Sequence, residues 1–206
     1  MCTETFLRLP EEKRTRFLNA AWDEFTAVRF TDVSISQIVR RAGIPRGSFY
    51  QYFADKDDLL AYLLEEVRNR IKEEYRRVLR DSGGDIFQAH LDLFDHFTSK
   101  DPALDPVLTR CMKFIQNNQA IDIQKLLPTR PDQRLLDGLW DVWDLSGLCQ
   151  TDQEYGRIVF SLLMAALGTS FMDTVLCPEE RALHREELEA KLNIIKYGSL
   201  RTAERS

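Results

Sequence analysis

Two short helical patterns meet at residues 42–44, and this junction constrains the fold more than any other feature of the chain. The first pattern starts at Ser34 and places Ile35, Ile38 and Val39 on one helical face. Ser34 followed by Gln37 three residues later predicts a capping box at its start. Gly43 can take the left-handed backbone that ends a helix, and Pro45 is tolerated only in a first turn. A second helix is therefore predicted from about Pro45. Two helices joined by a short turn containing Gly form a helix-turn-helix, whose second helix can enter a DNA major groove. The competing reading is an ordinary corner between two core helices. It fits poorly, because Arg46, Ser48, Tyr50, Gln51 and Lys56 make a weak core and a good DNA face.

The series Ala42, Gly43, Ile44, Gly47, Ser48, Phe49, Tyr50, Tyr52, Phe53 and Lys56, followed by Leu59-Leu60, resembles the tetracycline-repressor (TetR) family of bacterial transcription regulators. Arg16 to Ala21, with Phe25 and Phe30, is similar to that family's first helix, and the resemblance covers about residues 10–62. It implies an all-α fold, with an N-terminal three-helix DNA-binding domain containing the helix-turn-helix and a C-terminal helical domain for ligand binding and dimerisation. It also implies a repressor that binds double-stranded operator DNA as a homodimer and is released by a small-molecule inducer. An alternative is control by a protein partner or a redox signal.

On physical grounds Arg46 can bond bidentately to a guanine and Pro45 can touch a thymine methyl. Gly47 removes a side chain where backbone must come close to DNA. By resemblance, Arg46, Gly47, Ser48 and Tyr50 are base and backbone contacts, Tyr52 and Lys56 match phosphate anchors, and Ser36 and Gln37 match positions that reach DNA. Gln51 completes the polar face. Phe49 and Phe53 are expected in the core, whereas Tyr52 has two readings, a phosphate contact or a ring packed between helices. The chain departs from the family at Arg29, where Gly is usual, at Val33, where a Thr or small residue is common, and at Pro45. These departures bear on the operator sequence.

Charge is distributed in keeping with this division. The net charge of −5 argues at first sight against nucleic acid. Residues 1–56, however, carry 9 basic and 7 acidic residues, against 19 and 26 in residues 57–206. A near-neutral head on an acidic body suits a reader that does not coat DNA indiscriminately. The four cysteines are scattered without a C-x-x-C pair, as expected for reduced thiols in a cytoplasm. The most apolar run, Ile158 to Met172, is interrupted by Ser161, Gly168, Thr169 and Ser170, so no membrane span is expected.

The remaining patterns are helical. A long helix is predicted from Asp55 to about Arg80, with Leu60, Leu64, Val67, Ile71, Tyr75 and Val78 on one stripe and a Glu73–Arg77 pair outside. The domains expected from this are 1–56 and 57–206, tied by that helix. Further helices are predicted at about 85–99, 103–118, 135–145, 152–176 and 178–197. Small residues including Ala165 and Gly168, beside the stripe Leu188, Leu192 and Ile195, suit a dimer interface. By resemblance, Phe94, Phe97, Met112, Phe114, Trp140, Trp143, Met164 and Phe171 are candidates to line an inducer pocket. His90, His96 and His184 share no helical face, and neither a phosphate loop nor a nucleophile motif is present, so no enzyme, metal or cofactor is expected.

Overall fold

The computed structural model describes residues 2–99, 106–118, 140, 143 and 145–200. Among them the regular structure is helical, apart from an isolated antiparallel bridge between Leu148 and Leu200. The helices are α1 (Glu4–Leu7), α2 (Glu11–Ala27), α3 (Ile35–Ala42), α4 (Arg46–Tyr52), α5 (Lys56–Asp81), α6 (Ile86–Thr98), α7 (Pro106–Asn117), α8 (Gln153–Leu176) and α9 (Arg181–Ser199). The all-α class and the helix-turn-helix agree with the sequence. The helix expected at 135–145 lies largely outside the described residues.

Packing divides the chain into two compact units, Met1–Arg70 with Asp105–Leu126, and Ile71–Leu104 with Leu127–Ser206. The 26-residue α5 contributes to both. This packing boundary falls at residues 70–71, and the functional boundary after residue 56 stays a proposal.

In the first unit, α2 buries Phe17, Ala20, Ala21, Trp22 and Phe25. Against it pack α3, through Ile38, Val39 and Ala42, and α7, through Leu108, Cys111, Phe114 and Ile115. Gly43 takes φ +66° and closes α3, as the sequence requires. Arg29 avoids the left-handed region: α2 ends in extended backbone at Val28, and a 3-10 turn at Phe30–Asp32 leads into α3.

The capping box expected at Ser34 does not form. Its side chain caps nothing, and Gln37 Oε1 is buried without a partner. The Ser34 N–H donates instead to Glu24 Oε1 at 3.2 Å, from a carboxylate on α2 that also pairs with Arg41 at 3.5 Å. A distant buried carboxylate has taken the place of the local Gln37 amide. The reciprocal cap appears at α5, where Asp58 N–H donates to Asp55 Oδ1 (2.8 Å) and Ala54 N–H to Asp58 Oδ2 (3.1 Å). Arg77 pairs with Glu74 and Asp81 rather than with Glu73.

The second unit packs α8 against α6 and α9. A Cβ on Gly156 would sit 3.1 Å from both the Trp140 ring and Leu145, so this glycine permits a close approach that the sequence did not signal. By length and composition α8 would suffice to cross a membrane. Here it spends Val159, Phe160, Leu163, Leu167 and Val175 on the core of its own unit.

That core also encloses a histidine. His90 Nδ1–H donates to the Ile86 carbonyl at 2.7 Å, which leaves Nε2 to accept from the Tyr75 hydroxyl at 3.4 Å. The Tyr75 and Phe160 rings meet it edge-on. Complete burial pushes the imidazole down to about 4, because desolvation penalises the cation. The unfolded chain takes up this proton near 6.5, whereas the folded one resists it to about 4, so stability falls with acidification across that window. The expected loss between pH 7 and pH 5 is about 2 kcal/mol from this group. Denaturant unfolding of the parent and of His90→Gln at both pH values checks it, and the variant should lack that part of the pH dependence.

Candidate nucleic-acid interface

The seven residues of α4 divide cleanly by burial. Phe49 and Tyr52 point inward, with Phe53 just after them, and all three are buried. Arg46, Gly47, Tyr50 and Gln51 are exposed, as are Pro45 before the helix and Ser36 on α3. Ser48 and Gln37 are half-buried. The structure thus gathers Ser36, Pro45, Arg46, Gly47, Tyr50 and Gln51 on the outer side of the helix-turn-helix, and Arg46 Nη1 donates to Ser36 Oγ at 3.1 Å. This face can offer a guanidinium fork, two hydroxyls, an amide and an aromatic ring to bases and phosphates.

Gly47 adds an independent observation. It sits in ordinary helical backbone, and a Cβ there would meet nothing within 4 Å. Among the described residues nothing requires a glycine at this position.

Two of the expected DNA contacts have duties inside the protein. Tyr52 is only 9% exposed, and its ring lies against Phe6 (5.6 Å) and edge-on to Phe17 (5.9 Å), which favours the reading of a ring packed between helices. Lys56 donates to the carbonyls of Phe30 (2.8 Å) and Thr31 (3.0 Å), and its ammonium lies 4.8 Å from the centre of the Phe30 ring. The ammonium has three N–H groups, and two of them clip the turn between α2 and α3 to the start of α5.

Sequence reasoning missed the groups that hold this turn from α7. Asn118 Oδ1 accepts from Phe30 N–H at 2.7 Å while its amide donates to the Phe114 carbonyl, and Asn117 donates to the Thr26 carbonyl. Phe114, a candidate for the inducer pocket, instead meets the Phe25 and Phe30 rings edge-on and belongs to the core of the first unit, and Met112, half-buried, falls in that unit too. The remaining candidates lie in the second unit. Phe94, Phe97 and Trp143 are buried, Trp140, Met164 and Phe171 are half-buried, and Trp140 stacks on Trp143 at 5.8 Å.

The proposed interface residues are also split. Leu188 and Leu192 are 0% and 2% exposed, spent on their own unit, and therefore unable to meet a partner. Ala165 and Gly168 are exposed and Ile195 is half-buried.

Comparison with known proteins agrees with the geometry of the head. Residues 17–63 match the family of bacterial regulatory proteins, tetR family. The HTH-type transcriptional regulator YdgC of Bacillus subtilis is 36% identical over 72 residues, or 35% of this chain and 37% of that protein. An HTH-type transcriptional regulator of Haemophilus influenzae is 27% identical over 103 residues, or 48% of this chain and 50% of its own length. The chain thus spans half or less of these curated relatives. SmeT, the repressor of the Stenotrophomonas maltophilia multidrug efflux pump SmeDEF, shares the fold with a TM-score of 0.58 at 20% identity, covering 96% of this chain and 94% of that one.

Replacing Gly47 tests whether the fold itself demands it. Gly47→Ala is expected to leave stability unchanged or raise it by about 0.5 kcal/mol, the ordinary helix preference for alanine. Denaturant midpoints check this, and a loss would place the constraint inside the protein.

Proposed function

We propose that this chain, a TetR-family transcription regulator, reads operator DNA as a homodimer in a bacterial cytoplasm and represses transcription until a small, largely apolar inducer releases it. The observation that carries the DNA reading is the division of α4: its inner face is buried, while Arg46, Gly47, Tyr50 and Gln51 are exposed on a helix of the right size for a major groove.

Support for a dimer comes from the outer faces of α8 and α9. Ile158, Leu162, Ala165 and Thr169 follow one another on α8 at helical spacing, and all are exposed. On α9, Leu183, Ala190, Ile194 and Tyr197 do the same, with Ile194 74% and Tyr197 80% exposed. Gly168 lies on that side of α8, and a Cβ there would meet nothing within 4 Å. The interface we propose keeps Ala165 and Gly168 and adds Ile158, Leu162, Ile194 and Tyr197. A dimer would offer two reading heads to two half-sites, which lie ~34–36 Å apart in successive major grooves.

The inducer reading rests on the apolar interior of the second unit, where Phe94, Phe97 and Trp143 are buried. Because α5 is one continuous helix from Lys56 to Asp81, a ligand that prefers a tilted α5 would disfavour the DNA-reading arrangement by the same margin. Redox control through Cys111 draws no support, since burial pushes its thiol up to about 12 and keeps it protonated.

Selection of a binding site from random duplex DNA tests the DNA reading. Arg46→Ala is expected to weaken operator binding by about 1–3 kcal/mol and to relax preference at one base pair. Equal binding by parent and variant would overturn the assignment. For the interface, sedimentation should show a parent dimer at micromolar concentration and monomers for Ile194→Glu with its helical circular dichroism retained. A parent monomer would remove the dimer reading.

A further inference from the structure

The seven-residue α4 lacks a cap of its own at its C-terminal end. It stops at Phe53, in extended backbone with φ −137°, and no glycine follows to fold back over the last carbonyls. A helix leaves its last carbonyls without intrahelical donors, and a helix this short is marginal without outside help. The missing donors come from a residue 48 positions earlier. Thr3 Oγ1–H donates to the Gln51 carbonyl at 2.6 Å, and Thr3 N–H donates to the Tyr52 carbonyl at 3.1 Å. The same hydroxyl is the N-cap of α1, accepting from Phe6 N–H at 3.4 Å. A hydroxyl can donate once and accept twice, so one side chain starts α1 and finishes α4.

Phe6 fixes the other end of this strap. It is fully buried, with ring centres 5.6 Å from Phe17 on α2, 5.6 Å from Tyr52 on α4, 4.9 Å from Phe53 and 5.4 Å from Tyr62 on α5. The α1 segment therefore touches the three elements whose mutual angles decide where Arg46 and Tyr50 point.

We propose that Thr3 and Phe6 are positioning residues for DNA reading, with α1 acting as a strap that caps and orients α4 without itself supplying a base contact. This rests on the reading of α4 as the recognition helix. Non-specific binding depends on phosphate charge and tolerates a loosened α4, whereas base readout depends on its geometry.

The test compares the parent with Thr3→Ala, Thr3→Ser and Phe6→Leu on a selected operator and on an unrelated duplex, each at several salt concentrations. Thr3→Ala is expected to lose about threefold to tenfold in operator affinity, with the unrelated duplex and the salt slope unchanged and amide exchange in α4 accelerated. Thr3→Ser, which keeps the hydroxyl, should restore all of these. Phe6→Leu should lose operator preference in the same direction while remaining folded by circular dichroism. Parental operator affinity in Thr3→Ala would overturn the proposal. So would equal loss on both duplexes with a slope reduced by about 1, which would make the segment a phosphate contact. If the parent selects no operator, the reading of α4 fails instead, and α4 amide exchange in the Thr3 variants still decides whether the strap holds the helix.

Discussion

Burial of the inner face of α4 is the constraint on which the reading head depends. Seven residues cannot sustain a helix in water, because nucleation costs more than so few internal hydrogen bonds return. What holds it is the aromatic cluster beneath: Phe49 and Phe53 are almost wholly buried, and Phe17 stacks on Phe53 at 5.8 Å. Each such ring contributes about 1.5–3 kcal/mol when withdrawn from water. With that face pinned, helical periodicity alone leaves Arg46, Gly47, Tyr50 and Gln51 outside. The exposed chemistry is the complement of the packing, so a change among the rings is also a change in how the outer face is held.

This relation explains what could be read from the sequence. The helices follow periodicity and local signals, and so α3 to α5, the left-handed Gly43 and the outward residues of α4 stand where the pattern puts them. The features that escaped are those set by distant partners. Nothing near Ser34 announces that Glu24 will cap it, and nothing near Gln51 announces Thr3. The stripe of Leu188 and Leu192 was visible as a stripe. Periodicity says only that one face is buried, not whether the neighbour belongs to the same chain, and here it does.

The turn between α2 and α3 makes the same point in reverse. Its sequence, with Arg29 where a glycine would ease the turn, promises a difficulty that the structure lacks. Backbone polar groups must find partners when buried, and those of this turn find them at long range. Phe30 N–H meets Asn118, 88 residues away, and the carbonyls of Phe30 and Thr31 meet Lys56. A left-handed residue is unnecessary when side chains from α5 and α7 meet the turn's hydrogen bonds. The departure at Arg29 thus has a compensation.

The outer faces of α8 and α9 suit a partner, and the kind of partner they suit can be argued from their charges. A helix apolar on all sides is either enclosed by protein or set in lipid. On α8 one side is enclosed by α6 and α9, and the other carries Ile158, Leu162, Ala165 and Leu176 in the open. Lipid is a poor answer, because the adjoining exposed positions of α9 include Glu186, Glu187 and Glu189, whose carboxylates lose hydration in a bilayer without compensation. A protein surface can cover the apolar stripe and leave Glu186 and Glu189 at a wet rim, while Glu187, on the stripe itself, has Lys191 as its ion-pair partner at 3.9 Å. A second copy of the same face would suit this condition, since a two-fold axis sets one apolar stripe against its own copy. Gly168, exposed in a helix interior where alanine would be about 1 kcal/mol better, would leave room on such a face for the approach of another backbone.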